Sequence, residues 1–448
     1  MESTPGFLDV IPLQWASVID AIERLVPEDH YAHWTELAKQ RNPYGISHEA
    51  WWAALKICRL GQIRSIGFEG DEPGAGLCFA TPGDAVEMLH RLDQIRPEEE
   101  VGPENIERIA ARALVMEAVG SARLAGSVTT FEAGKELLRA GRSAREGDEQ
   151  MILNTHRALQ YVRDQTTRPL APGMLSELHR RMTQGIAAAG EDGDLFRTDA
   201  TGRPESAARA ASTPPETGPQ DRLEAMCAFA NGQTPEFFVH PVIRGIILHF
   251  WLVRDHPFSA ANGRTARALF CWAMQRQGYS LFEFISLSPI LGSARENYRR
   301  SFLESVTDNN DLTYFILAQL RAIAAATQVW RDDRVRNKDE LKEAARRLQG
   351  FGNLNGRQQT LLAHAFRHPD AAYVIAGHQR SHGVTHQTAR DDLFDLVGRE
   401  LLTVTRERRI YTFRPVAGLA GRIQSAGGRR RGGSKAGVAA ETLPTTLL

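Results

Sequence analysis

The chain is poor in cysteine, in long apolar runs and in net charge, and each shortage removes a class of protein. Its 448 residues hold four cysteines, Cys58, Cys78, Cys227 and Cys271, far apart and with no CxxC pair. That spacing excludes a zinc knuckle or a dithiol redox centre and reads as small packed hydrophobes in a reducing cytoplasm. The most apolar window, GIILHFWLV from Gly245 to Val253, is nine residues long and contains His249. A bilayer span needs about 18 residues, so this window reads as a buried helix and no membrane partner is expected. The start, MESTPGFLDV, carries Glu2 and Asp9 where an export signal would be basic, so a cytoplasmic location is expected.

Charge is absent only on average. Lys plus Arg number 54, as do Asp plus Glu. Up to Trp330 there are 33 basic against 42 acidic residues, and beyond it 21 against 12. An acidic body therefore shares the chain with a basic end, and a nucleic-acid partner is expected only of the latter.

What is present is mostly helical spacing. The acidic, Pro/Gly-punctuated stretch RPEEEVGPEN (96–105) marks a first boundary, after a small N-terminal accessory domain over 1–105 in which Ser47 precedes a helical pattern at Trp51, Trp52 and Leu55. Residues 106–330 read as an all-helical body, with a capping box at Thr129–Glu132 and a helix from about Asn262 closed by Gly278. Inside it, 197–215 is small, polar and rich in breakers, which predicts a flap or hairpin. A linker helix is expected over 331–356. Over 357–415 the order helix, short element, helix, hairpin is that of a winged helix-turn-helix. The Gly/Ala/Arg-rich end, 416–448, reads as a disordered tail.

The segment that carries chemistry is HPFSAANGRTAR, His256 to Arg267. It lies between two apolar helices and delivers small residues into a helix N-terminus, where unpaired backbone N–H groups and the positive dipole end attract an anion such as phosphate. Arg264 and Arg267, three apart in the first turn, are spaced to grip a polyphosphate, and Asn262 either fixes a phosphate oxygen or orients the loop. His256, with an intrinsic pKa near ~6.5, stands at the mouth of the loop as a general base.

These residues resemble the signature HxFx(D/E)GNGRxxR of the Fic (Fido) proteins, matched at His256, Phe258, Asn262, Gly263, Arg264 and Arg267. The resemblance extends to HPVIRGIILHFW (240–251), GDLFR (193–197) and GSARLAG (120–126), and so covers most of the chain. It implies a mainly α Fic-type helical bundle with a β-hairpin flap, and transfer of AMP from ATP to a Ser, Thr or Tyr hydroxyl of a target protein. His256 is then the general base, Asn262, Gly263 and Arg264 hold phosphates, Arg267 contacts the γ-phosphate, and Phe258 is a structural anchor. Two departures accompany it. Where the family places an acid that binds Mg²⁺, this chain has Ala260, which offers no oxygen to a hard cation, leaving Asp255, Asp194 or Asp199 as the nearest acids. The segment GSARLAG resembles the family's inhibitory helix, (S/T)xxxE(G/N), with Ser121 and Gly126 in place but Ala125 where the glutamate belongs.

At the basic end, His386, Gln387 and Arg390 are candidates for base edges, and Arg408 and Arg409 in the wing turn for phosphates. Asp391, Asp392 and Asp395 on the same helix oppose that reading if they face a duplex. The module is thus either a duplex-DNA reader or a docking or homodimerisation unit. The competing function for the whole chain is a non-catalytic, nucleotide-sensing, DNA-binding transcriptional regulator.

Overall fold

The computed structural model describes residues 31–42, 45–66, 76–101, 103–186, 218–349, 354–367, 371–407, 410–417 and 419. The predicted flap, the GDLFR run with Asp194 and Asp199, the wing-turn arginines Arg408 and Arg409, and the tail beyond Leu419 lie outside them, while Val416 and Leu419 at the start of the expected tail pack on the C-terminal core. The chain is mainly helical and divides into two units, one of residues 1–97 with 109–328 and one of 98–108 with 329–448. Among the described residues no helix is long and apolar enough to cross a membrane.

The first unit contains helix α1 (His48–Leu60), capped by Ser47, whose hydroxyl accepts from Ala50 N–H at 3.1 Å. An antiparallel pair follows, β1 (Arg64–Ile66) with β2 (Leu77–Phe79). Then come α2 (Pro103–Leu124), whose first turns belong to the other unit, α3 (Gly147–Asp164) and α4 (Pro172–Thr183). Next are α5 (Pro241–Asp255) and α6 (Asn262–Arg276), followed by α7 (Arg295–Thr307) and α8 (Thr313–Gln349).

The window read as a buried helix is the middle of α5, where residues from Val242 to Leu252 are all buried. Gly245 explains how closely α5 approaches α6: a Cβ there would meet Met274 Cε and Phe270. Side chains Trp251, Trp272, Phe250 and Phe258 are fully buried around this pair. The joint between α5 and α6 is therefore rigid, and the loop it carries is the signature loop.

Three boundaries differ from the sequence reading. A separate domain over 1–105 is expected, yet residues up to 97 share a unit with the helical body. The cause is a set of long-range polar contacts: Lys56 Nζ lies 2.9 Å from both carboxylate oxygens of Asp308, and Arg59 donates to the Tyr314 hydroxyl. Of the expected linker helix over 331–356, the residues up to Gln349 are instead the end of α8, which runs on because no proline or glycine interrupts Thr313–Gln349. The capping box shifts by one residue, since Thr130, not Thr129, accepts from Ala133 N–H.

The second unit ends in α9 (Gly356–Arg367), β3 (Tyr373–Val374), α10 (Ile375–His382), α11 (His386–Gly398) and the hairpin β4 (Leu402–Glu407) with β5 (Ile410–Pro415). Its antiparallel sheet has the order β3-β5-β4. Leu361, Leu362, Ala389, Leu393, Leu396 and Phe413 form the core. Asp392 is buried and turned inward, bonded by Arg357, Asn355 and His378. Burial alone would raise its pKa, but these hydrogen bonds outweigh that and hold it below the usual carboxylate value.

Candidate functional site

Helix α5 ends at His256, which adopts a left-handed backbone (φ 49°, ψ 53°) and so turns the chain out of the helix axis. Its Nδ1 lies 2.8 Å from the Val253 carbonyl. A carbonyl only accepts, so Nδ1 carries the proton and the basic lone pair belongs to Nε2.

The loop that follows is held by its own side chains. Asn262 Nδ2 donates to the Phe258 carbonyl at 2.8 Å, and Phe258 N–H donates to Asn262 Oδ1 at 3.1 Å. Of the two roles open to Asn262 in the sequence, this geometry serves the second, orienting the loop. Helix α6 starts after Ala261, also left-handed (φ 60°), with no side-chain cap. Its first N–H with a helical acceptor is that of Thr265, bonded to the Ala261 carbonyl. The amides before it are the donors an anion would use.

The two arginines are held from different sides. Arg264 Nη1 donates to the Met182 carbonyl at the end of α4, at 2.9 Å. Burial, then the neighbouring Arg267, pushes its pKa down to about 10. Arg267, also buried, donates through Nε to Ser121 Oγ at 2.8 Å and through Nη2 to the Ser121 carbonyl at 2.9 Å. Gly263 leaves room for this: a Cβ there would meet Arg267 Nη1 at 3.2 Å. Ser121 thus accepts both of these bonds from Arg267, while Ala125 has no side-chain acceptor to offer. Ala125 and Gly126 close α2, Ala125 N–H bonding the Ser121 carbonyl.

Residues 169–274 match the Fic/DOC family model. The chain carries a Fic domain. It is similar to "Protein adenylyltransferase Fic" of Culex quinquefasciatus, 27% identical over 255 residues, which is 55% of this chain and 44% of that protein. The chain thus spans under half the length of this curated relative. Among solved structures it is similar to a Fic family protein from Desulfovibrio desulfuricans G20 (14% identity, 79% of this chain and 98% of that one, TM-score 0.46). Another is Fic-1 from C. elegans (20% identity, 55% and 71%, TM-score 0.44).

Four residues of the Fic domain and its surroundings escaped the sequence reading. His179 of α4 stacks on Phe258 (ring centroids 4.2 Å apart, 7° between planes) and its Nε2 lies 3.1 Å from the Ala260 carbonyl. It braces the loop from below. Ala261 stands at the first glycine of the signature's GNG, in a backbone conformation that costs a residue with a Cβ about 1–2 kcal/mol. Glu117, one turn before Ser121, accepts from Ser288 N–H and Ser288 Oγ; burial lowers the Arg267 pKa, and Tyr298 and then the Glu117 charge only partly oppose it. Tyr298 of α7 lies beside Arg267 and within 3.0 Å of His249 Nε2. His179, Glu117 and Tyr298 do not announce themselves in the sequence, because each acts on residues tens of positions away, whereas Ala261 is legible as a departure from the signature's GNG.

The donor set of the Fic loop does not fit a divalent cation. Ala260 has no side-chain oxygen, and Asp255 accepts from Trp251 Nε1 at 2.9 Å and lies 3.6 Å from Arg222. Among the described residues no group of three His, Cys, Asp or Glu side chains is arranged to hold a metal.

Buried histidines give the unit a pH signature. Burial holds His33 and His179 down to about 4 and His249 to about 3. The unfolded chain takes up these protons near ~6.5, so between there and about 4 it binds more protons than the folded chain. Stability is therefore expected to fall as pH drops through that window, by up to about 1.4 kcal/mol per unit per histidine. Urea unfolding at pH 7.5, 6 and 5 checks this, with a shallower slope expected for His179→Gln. A flat profile contradicts it.

Proposed function

We propose that this chain is a Fic-type protein adenylyltransferase, which transfers AMP from ATP to a Ser, Thr or Tyr hydroxyl of a target protein by a reaction altered at Ala260. The observation that carries the reading is His256, tautomer fixed by Val253 and basic atom at Nε2, at the mouth of an uncapped helix N-terminus. Nε2 takes the proton of the target hydroxyl as its oxygen bonds to the α-phosphorus of ATP. Pyrophosphate leaves as the bond to its bridging oxygen breaks. The first amides of α6 and Arg264 receive the phosphates, and Arg267 reaches the γ-phosphate on exchanging Ser121 for it. Phe258 anchors the loop, and no step runs through a metal.

The test is to incubate the full-length chain with ATP labelled at the α-phosphate, Mg²⁺ or Mn²⁺ and a cell lysate. Label is expected on protein, and Ala260→Asp is expected to raise it by about tenfold or more by restoring an oxygen ligand. Nucleotide binding without transfer in either protein favours the nucleotide-sensing regulator instead.

A second reading concerns the C-terminal module, a winged helix that binds duplex DNA. It is supported by His386, Gln387 and Arg390, all exposed on α11, and by the burial of Asp392, and is opposed by Asp391 and Asp395, which stay exposed on the same helix. Full-length chain is expected to retard duplex DNA at low salt, with affinity falling steeply as salt rises. Arg390→Ala is expected to weaken binding by about 1–3 kcal/mol if it reads a base. No retardation at low salt assigns the module to docking.

A further inference from the structure

A cavity of about 290 Å³ opens between α7, α8 and the residues before α1. Tyr298, Ser301 and Glu304 of α7 and Tyr314, Leu317 and Gln319 of α8 line it. Two of these are buried polar side chains with an unmade hydrogen bond: Glu304, 7% exposed, at Oε1, which has only the ion pair with Arg300 at 3.8 Å, and Gln319, 1% exposed, at Nε2. A buried donor or acceptor left without a partner is unfavourable, and two lining one cavity point to an occupant that satisfies both.

The chemistry of that occupant follows from the walls. Tyrosine rings and Leu317 suit a flat, largely apolar body. Glu36 and Arg300 lie 3.7 Å apart at the rim, and Arg300 Nε is 3.8 Å from Glu304, so the charges nearly cancel and a neutral molecule is preferred. The volume, against about 30 Å³ per water, admits a molecule of one or two rings. Burial, then Glu36, against the opposing Arg300, pushes the Glu304 carboxyl up to about 7, in keeping with a group built to meet a neutral partner.

We propose that this cavity binds a small, neutral, planar molecule with an amide-type edge, its N–H donating to Glu304 and its carbonyl or ring nitrogen accepting from Gln319. Aromatic carboxamides and nucleobases both carry that edge. Tyr298, a wall of the cavity, lies beside Arg267, so the site is one side chain removed from the Fic loop.

The experiment is ligand-observed NMR on the full-length chain with nicotinamide and uracil as probes, and toluene and benzoate as controls. Binding of either probe in the millimolar range or tighter is expected, with the controls at least about tenfold weaker. Nicotinamide alone assigns the carboxamide source and uracil alone the nucleobase source. Gln319→Leu and Glu304→Leu are each expected to weaken the bound probe by about tenfold or more. Should either fail to fold, as judged by a lost cooperative thermal transition, Gln319→Glu replaces the donor at almost unchanged volume and is expected to lose binding equally. The proposal is overturned if neither probe binds at about 10 mM, if toluene or benzoate binds as tightly, or if binding survives these substitutions.

Discussion

Replacing His256 by alanine is expected to lower the rate of protein labelling from ATP by about 10²–10⁴-fold while leaving nucleotide affinity nearly unchanged. The reason is the division of labour in the loop. The imidazole sits at the C-terminal end of α5, turned out by a left-handed residue and held through Nδ1 by the Val253 carbonyl. In the proposed reaction the phosphates are received by backbone amides and arginines of α6, which the substitution does not touch. Single-turnover labelling and equilibrium nucleotide binding together check the split. A loss of binding equal to the loss of rate would mean that His256 shapes the loop rather than moving a proton. Unchanged labelling would remove it from the chemistry altogether.

The sequence made some of this architecture readable, and local patterning explains which parts. GIILHFWLV is apolar on every face, so it reads as a buried helix, and α5 is one. Ala389, Leu393 and Leu396 repeat at helical spacing and form the core of the C-terminal module. Asn262, Gly263, Arg264 and Arg267 are legible as one cluster because they share the first turns of one helix. What each guanidinium reaches was not legible, because spacing fixes which face a residue takes and not its partner. Arg267 finds Ser121, 146 residues away, and Arg264 finds Met182, 82 away. The pattern GSARLAG shows the missing glutamate at Ala125 but not the two hydrogen bonds that Ser121 accepts from Arg267. The position of His179 beneath Ala260 depends on how α4 packs, and a histidine among apolar residues carries no mark of that. The missed continuity of α8 has the opposite origin: a change of composition near Trp330 suggested a boundary where no helix-breaking residue stands.

The largest effect on stability is expected from Asp308→Ala, which should cost about 3–5 kcal/mol. Lys56 and Asp308 are buried, their side chains 6% and 4% exposed, and both carboxylate oxygens lie 2.9 Å from the ammonium. Tyr314 donates to the same carboxylate at 2.8 Å, and Arg59 donates to Tyr314. Removing Asp308 leaves the Lys56 charge in a low-dielectric site with Asp311, 4.0 Å away, as the nearest carboxylate. Asp311 is itself engaged by the Tyr31 and Thr313 hydroxyls, and burial raises its pKa, so it is a poor substitute. In a unit of this size the loss corresponds to a fall in melting temperature of roughly 10 °C. Thermal and urea unfolding of the full-length chain measure it. The companion variant, Lys56→Met with Asp308→Leu, removes both charges and fills the space. Because the desolvation of a buried pair offsets most of its attraction, the double variant is expected to recover most of the lost stability. If it recovers none, the pair is worth more than its desolvation, and the contact joining the N-terminal helix to α7 and α8 is a net stabiliser rather than a device that fixes how those segments pack.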